Sequence, residues 1–451
     1  MQTEGTRLMN ETVRDLGGTA WSADLQTRWS SLAPEERYEA FRALSRAEAE
    51  ECFCDVSAPE QVTLLLAFPA LERRGWMRLL PPDDAADVVQ AAPEEEREGL
   101  LALLDDSTRK EVTALLAYAE DEAGGLMSPR FARVRPEMTA DEAISYVHKQ
   151  ARERVETIYY VYVLDTQQRL VGVVSFRQLF EALGNAKVSH LMETDVVLAS
   201  EQMDQEEVGL LFAKHSLLAI PVVDLAGRMK GVVTVDDIVD VVQEEATEDI
   251  QKIGGMEALD EPYLDIGLGR MIRKRGGWLA ALFVSETLTA TAMGYYEHEI
   301  ARAVVLALFI PLIISSGGNS GSQASTLVIR AMALGEVRLR DWWRILRREV
   351  AAGLALGTIL GMIGLLRILL WPTRASLYGP YYGLIALTVA LSLVGVVLWG
   401  TISGSMLPLL LRRLGFDPAS ASAPFVATLV DVTGLVIYFS VASTVLSGTM
   451  L

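Results

Sequence analysis

Between Pro424 and Leu446 lies a stretch of 23 residues with one ionisable side chain, Asp431. A helix of about 20 apolar residues crosses the hydrocarbon of a bilayer, so this stretch is predicted to span a membrane. A carboxylate in that hydrocarbon costs roughly 2.5–3.5 kcal/mol on insertion scales and normally faces a water-filled path or a partner. No Lys, Arg or His follows Asp431 before the chain ends at Leu451. Two readings stand: a helix with Asp431 at a solvated interface, or a cation site inside a membrane pore.

Further apolar runs cover about 276–296, 301–316, 350–370 and 383–411, which with 424–449 makes five predicted spans. Arg270, Arg273, Lys274 and Arg275 precede the first run. Arg330, Arg338, Arg340, Arg344, Arg347 and Arg348 cluster between the second and third, and Arg412 and Arg413 between the fourth and fifth. The alternate loops hold chiefly Arg302 and Arg374. Cytoplasmic loops collect Lys and Arg. The expected topology is a multi-pass protein of the cell (inner) membrane, with its N-terminus in the cytoplasm and its C-terminus outside.

Charge divides the chain. Residues 266–451 hold 8 acidic and 15 basic side chains, whereas residues 1–265 hold 51 acidic and 25 basic, a net of −26. An acidic soluble half repels nucleic acid and attracts cations, so no nucleic-acid partner is expected. Cys52 and Cys54 have no further Cys or nearby His to complete a zinc site and are expected to be free thiols. The four histidines are scattered, and no Walker loop or nucleophile–base arrangement is present, so no enzyme is expected. The polar, acidic N-terminus is not a signal peptide.

Residues 1–22 are polar and expected to fray. From about 23 to 122, helix starts recur as Ala33-Pro-Glu, Ala58-Pro-Glu, Pro81-Pro-Asp and Ala92-Pro-Glu. Proline in the first turn followed by acids marks a helix N-terminus, so a superhelical stack of short helices is predicted. Asp83 and Asp87, on one of these helices, read most simply as a solvated face. From about 125 to 250, short β-branched runs alternate with helices and the pattern repeats. Asp165, Arg169 and Gly172 recur as Asp224, Arg228 and Gly231 at one offset of 59 residues. This duplicated strand–turn–strand–helix unit resembles a pair of cystathionine-β-synthase-type (CBS) domains, which implies ATP or another adenine nucleotide as a ligand. The second copy keeps the Ser/Thr-x-x-Asp pattern as Thr234-Val-Asp-Asp237, whereas the first has Ser175-Phe-Arg-Gln178.

The next segment, Gln243 to Ile250, carries Glu244, Glu245, Glu248 and Asp249, several of them on one helical face. With Asp237 and Asp240 upstream, and Lys252 the first cation at helical spacing, it is predicted to be self-repulsive; a divalent ion would relieve it. In the second span, Gly317-Gly-Asn-Ser-Gly-Ser-Gln323 predicts a broken helix whose freed carbonyls, with Asn319 and Gln323, offer oxygen ligands, or else a helix-packing face of small residues.

Pro311 to Glu336, with its Gly-Gly-Asn-Ser-Gly-Ser-Gln core, and Pro424-Phe-Val-Ala-Thr-Leu-Val-Asp-Val-Thr-Gly434 resemble the two core motifs of MgtE-type magnesium channels. The resemblance covers nearly the whole chain. It implies an α-helical membrane protein of five transmembrane helices, a homodimer in lipid with its pore on the two-fold axis, bearing a cytoplasmic helical N domain and an α/β CBS pair. The expected boundaries are 1–124 for the N domain, 125–187 and 188–246 for the CBS domains, 247–275 for an acidic connecting (plug) helix and 276–451 for the pore. The resemblance assigns Asp431 and Asn319 to the pore. It assigns Asp204, Glu206, Asp237, Asp240, Glu245, Glu248 and Asp249 to regulatory Mg2+ sites, and more loosely Asp83, Asp87 and Asp417. Ser216, Ser322 and Ala423 depart from the family pattern, where Asp, Asn and Asn are expected. The function implied is Mg2+ entry into the cytoplasm, closed by cytosolic Mg2+. The alternatives are transport of Mn2+ or Co2+, since the oxygen-only donors argue against zinc or copper, or a membrane-anchored nucleotide sensor without transport.

Overall fold

The computed structural model describes residues 23–151, 157–259, 263 and 266–449. The expected fraying of residues 1–22 lies outside them. The chain forms two compact units, residues 1–243 and 244–451.

The first unit opens with short helices: α1 (Ala23–Arg28), α2 (Pro34–Arg42), α3 (Arg46–Asp55), α4 (Ala58–Ala67), α5 (Ala70–Met77), α6 (Pro82–Ala91), α7 (Glu94–Leu101) and α8 (Asp106–Leu115). Their starts follow the proline and acid signals, and Ser45 and Asp105 add side-chain N-caps. A repeated device joins neighbours. Arg73, Arg97 and Arg109 each donate to carbonyls that end the preceding helix, Phe68, Ala92 and Leu101 among them. These guanidiniums satisfy acceptors that a helix end leaves orphaned. Phe41, Phe53, Phe68 and Trp76 pack as one aromatic core, with Phe41 and Trp76 edge to face at 5.2 Å. Cys52 is buried and Cys54 exposed, both free.

After α9 (Ala123–Leu126) come two copies of one α/β unit. The first holds β1 (Phe131–Val134), α10 (Ala140–Ala151), β2 (Thr157–Leu164), β3 (Leu170–Ser175), α11 (Phe176–Glu181) and α12 (Val188–Leu191). The second holds β4 (Ala199–Ser200), α13 (Gln205–His215), β5 (Ala219–Val223), β6 (Met229–Thr234) and the start of α14 (Val235–Ile253). Each sheet has three strands, one parallel pair and one antiparallel hairpin. The duplicated Asp-x-x-x-Arg has a local cause. Asp165 accepts from the Gln167 and Arg169 amides, and Asp224 accepts from those of Ala226 and Arg228. Each aspartate thereby folds its hairpin turn. Gln168 and Gly227, 59 residues apart, both take positive φ, 62° and 74°. The hairpins then meet through the Leu170 amide on Gly227 O and the Met229 amide on Gln168 O.

The second unit contains α15 (Leu268–Tyr295), α16 (Glu297–Arg302), a 3-10 turn over Val304–Phe309, α17 (Ile310–Ala333), α18 (Trp342–Leu369), α19 (Arg374–Tyr378), α20 (Tyr382–Arg413) and α21 (Ala423–Val445). Among the described residues, four segments are long and apolar enough to cross a membrane: Val304–Ala333, Leu339–Leu369, Tyr382–Arg413 and Ala423–Val445. The expected count was five. The helix that does not qualify is α15. Four cations fill its first two turns, and Ser285, Glu286, Thr287, Thr289 and Thr291 dilute its apolar stretch.

The glycine-rich motif corrects an expectation. The backbone is not broken there: α17 runs as one helix through Gly317-Gly-Asn-Ser-Gly-Ser-Gln323. Its carbonyls are therefore engaged in the helix. The glycines instead let backbones touch. A Cβ on Gly321 would lie 2.8 Å from Val426 Cγ1 and 3.0 Å from Gly400 O, and one on Gly400 or Gly404 would strike Gly317 or Gly321. Gly353, Gly357 and Gly361 seat α18 on α20 in the same way, against Leu398, Val394 and Ala390. Small residues at four-residue spacing are how helices approach closely where lipid supplies no hydrophobic drive.

Candidate metal centres

The first centre lies where α17 crosses α21. Asp431 is two turns into α21 and half-buried. Gly318 of α17 faces it: a Cβ there would sit 3.4 Å from Ala427 Cβ and 3.8 Å from Asp431 Oδ1. These are ordinary van der Waals separations, so Gly318 borders the carboxylate without being the only residue that fits there. The next residue, Asn319, is exposed and donates to Ser315 Oγ at 3.4 Å. Gly318 and Asp431, 113 residues apart in sequence, are thus brought to one helix crossing, with Asn319 the next residue along α17. Glu286 of α15 is a carboxylate whose charge bears on Asp431, and the sequence reading did not single it out.

Hydroxyls fix this crossing. Ser322 Oγ donates to Ala423 O at 3.1 Å, and Ser325 Oγ donates to Ala421 O at 2.7 Å. Ser422 caps α21 by accepting the Phe425 amide. Ser322 and Ala423, read separately as departures from the family pattern, are therefore two ends of one hydrogen bond.

The second centre joins the end of α14 to the turn between α20 and α21, where Asp417 caps a 3-10 turn over Pro418–Ser420. Lys252 Nζ bonds Asp417 Oδ2 at 2.6 Å and also pairs with Glu248 one turn earlier. Asp249 lies with them; burial pushes its carboxyl up, Asp417 adds to that push, and Lys252 opposes it. Burial disfavours the Lys252 ammonium, yet hydrogen bonds to Asp417 and Glu248 outweigh it and hold the pKa above the usual lysine value. Asp417 Oδ1 meanwhile accepts the Ala419 amide. The acidic run expected to repel itself thus carries its own counter-ion. α14 ends at Ile253, and Gly255 follows with φ 75°. A Cβ on Gly255 would lie 3.1 Å from Pro424 Cγ, so the segment closes directly on the first turn of α21.

The third centre belongs to the first unit. Asp84 of α6 is pushed up to about 6, first by burial and then by the carboxylates of Asp237, Asp236 and Asp240 on α14. The sequence reading chose Asp83 and Asp87 on this helix as solvated acids. Asp87 is exposed, but Asp83 is only 4 % exposed, so that expectation fails for Asp83. One residue turns a helix by about 100°, which carries Asp83 into the core and Asp84 toward α14. Asp237 also caps its helix, accepting the Thr234 amide and hydroxyl, and Gln178 does the same for Ser175 in the first copy. Asp204 is the N-cap of α13, accepting the Glu206 amide at 2.9 Å; Glu206 is exposed. Ser216 forms the left-handed C-cap of that helix, φ 51°. Glu245 is half-buried on α14.

Among the described residues no three His, Cys, Asp or Glu side chains converge into a ready-made cage. The donors are oxygens, held apart, with buried or mutually repelling carboxylates. That set fits a hard dication that keeps several waters, and not a metal that demands nitrogen or sulfur.

Comparison with known proteins agrees part by part. Residues 310–441 match the family model described as a divalent cation transporter, residues 21–121 match the MgtE intracellular N domain, and residues 123–185 and 188–244 match CBS domains. The magnesium transporter MgtE of Thermus thermophilus is 39% identical over 99% of this chain and 97% of its own length. The chain belongs to the MgtE family of divalent cation transporters. The magnesium transporter MgtE of Bacillus subtilis is 33% identical over 81% of this chain and 79% of its own length. Among solved structures, the cytosolic domain of the Mg2+ channel MgtE in complex with ATP is 40% identical, with a TM-score of 0.46, and covers 53% of this chain and 96% of that one. MgtE relatives are transporters or channels, and an enzyme is not what this family supplies.

Proposed function

We propose that this protein carries Mg2+ across the membrane into the cytoplasm, through a path lined by Asp431 and Asn319. The observation that supports it most is Asp431 itself, a half-buried carboxylate inside an otherwise apolar helix, set beside Gly318 of the glycine-rich α17. In this reading two chains form a homodimer in the lipid bilayer, and Asp431 of each faces the shared axis. Two carboxylates on opposite walls hold a hydrated dication through its water, which selects on charge without a tight cage. Release then remains easy, as conduction requires. α15 serves as a fifth spanning helix, which places the N-terminus in the cytoplasm and the C-terminus outside. The domain boundaries at 124, 187, 246 and 275 belong to this reading too.

The acids of α14 and α6 regulate. Glu248, Asp249 and Asp417 hold the end of α14 against the first turn of α21, where a shift of the backbone reaches Asp431. Asp84, with Asp83 and Asp87 on the same helix, faces Asp237 and Asp240; Asp204, Glu206 and Glu245 complete the acidic surface. Two unit charges about 4 Å apart interact by roughly 4 kcal/mol at an effective dielectric of 20. Several such repulsions bias the unit toward opening, and a cytosolic dication among these acids removes the bias. The CBS pair takes an adenine nucleotide such as ATP, with Asp237 supplying the second copy's pattern.

The test is Asp431→Asn in proteoliposomes with a Mg2+ indicator. Uptake is expected to fall to the level of empty vesicles while the dimer persists on size exclusion; uptake at the parental rate refutes the pore assignment. Competition by Mn2+ and Co2+ in the same assay ranks the ions. Glu248→Gln with Asp249→Asn is expected to raise the Mg2+ concentration that halts uptake.

A further inference from the structure

The arginines that start α18 do more than the charge rule for membrane topology asks of them. Arg340, Asp341, Trp343, Arg344, Arg347 and Arg348 line an open cleft of about 570 Å³. Arg344, Arg347 and Arg348 stand at i, i+3 and i+4, so they share one helical face, with Trp343 one turn before Arg347. The acid within the cleft is already engaged: Asp341 accepts the Arg338 amide at 3.2 Å and pairs with Arg344 at 3.5 Å. Arg344 is nonetheless 86% exposed, and among the described residues no ion pair is formed by Arg340, Arg347 or Arg348. Trp342 and Trp343 stack edge to face at 5.5 Å, and both are exposed. The uninterrupted apolar part of α18 begins at Val350. At about 1.5 Å per residue, the arginines and tryptophans therefore occupy the headgroup zone at that end of the span.

We propose that this cleft binds the phosphate of an anionic phospholipid headgroup. Guanidiniums match a phosphodiester in a planar, paired hydrogen-bond geometry that a point charge lacks. Indole rings settle at headgroup depth, apolar body inward and N–H toward water. Basic clusters beside spanning helices attract anionic lipid at this level. A soluble anion would use the arginines but leave the paired tryptophans without a role. The proposal does not depend on the pore reading; the leaflet concerned is whichever meets the Arg338–Arg348 end of α18.

The experiment uses the full-length protein, stripped of lipid in detergent and titrated with phosphatidylglycerol, phosphatidylcholine or inorganic phosphate, with bound lipid counted by native mass spectrometry. Phosphatidylglycerol is expected to bind, and Arg347→Gln with Arg348→Gln to weaken it by about tenfold or more, with phosphatidylcholine unaffected. Phosphatidylglycerol affinity within twofold of the parent overturns the site. Displacement of phosphatidylglycerol by millimolar inorganic phosphate shows a free-anion site and overturns the lipid assignment. Should the double variant not fold, the parent decides: phosphatidylglycerol retention must fall steeply as salt rises from 50 to 500 mM, and retention indifferent to salt refutes the proposal.

Discussion

The two acidic centres differ in one respect. In the first unit, the charges of Asp237, Asp236 and Asp240 bear on Asp84, and those that shift it are all negative. In the second, Glu248, Asp249 and Asp417 gather around the ammonium of Lys252. Under the proposed function, one cluster takes a cation from solution, whereas the other is set around a cation of the chain itself. The second is therefore assembled before any ion arrives, whereas the first gains most from an ion or a proton. Under the proposed function, the first unit is the sensitive detector and the second is a latch that the detector loads.

The largest effect should come from removing the latch. Lys252→Gln leaves three carboxylates without their cation; breaking such a pair when buried costs about 3–5 kcal/mol, and partial exposure reduces this to about 1–2 kcal/mol. The segment around Gly255 is expected to become protease-sensitive at low Mg2+ and to regain protection at high Mg2+. Unchanged cleavage would mean that Lys252 does not hold α14 to α21.

The complementary change is Asp84→Asn, which removes repulsion and should stabilise. A shift from 3.8 to about 6 corresponds to at most about 3 kcal/mol, of which about 1–2 is expected after relaxation. The melting of the first unit in Mg2+-free buffer should rise, and its further rise on adding Mg2+ should shrink. A lower melting temperature would make Asp84 a structural carboxylate instead.

Proton titration sharpens the same contrast. The folded Asp84 binds its proton more tightly than the unfolded chain, so its penalty is absent below about pH 4, grows as pH rises, and is complete above about 6. Without Mg2+, the first unit should melt higher at pH 5 than at pH 7.5, and Asp84→Asn should flatten that dependence. An equal slope in the variant would assign the pH effect to other groups.

The smallest effect concerns the crossing that carries Asp431. Ser322→Ala removes one hydrogen bond to Ala423 O, worth about 0.6 kcal/mol between helices in a membrane. Thermal unfolding of the second unit should shift by a degree or two. Ser322→Asn, which restores the family's residue, should alter ion preference more than stability, read as the Mn2+ to Mg2+ uptake ratio.

Much of this was legible in the chain itself. Proline-plus-acid starts located α2, α4, α6 and α7, because those signals act within one turn. The 59-residue offset located both hairpins, because Asp165 and Asp224 fold their own turns through amides two and four residues away. Apolar length located four candidate spanning helices; α15 falls short of them because threonines and Glu286 dilute its run. The glycine-rich motif left two readings, a break or a packing face, and the structure takes the second; glycine permits both, and local sequence does not say which. Asp83 and Asp84 are adjacent in sequence, and only the packing of α6 decides which one is buried and which meets α14.

The sequence by itself determined which segments are helices, which are strands, where membrane and water divide the chain, and that Asp431 needs a polar neighbour. These depend on periodicity, capping and transfer energy, which are properties of a few consecutive residues. Only the tertiary structure decided that Lys252 answers Asp417 across 165 residues, that Ser322 binds Ala423, and that Gly318 lies beside Asp431. Those pairings arise when backbones approach within van der Waals distance, and a linear chain carries no record of which distant surfaces will meet.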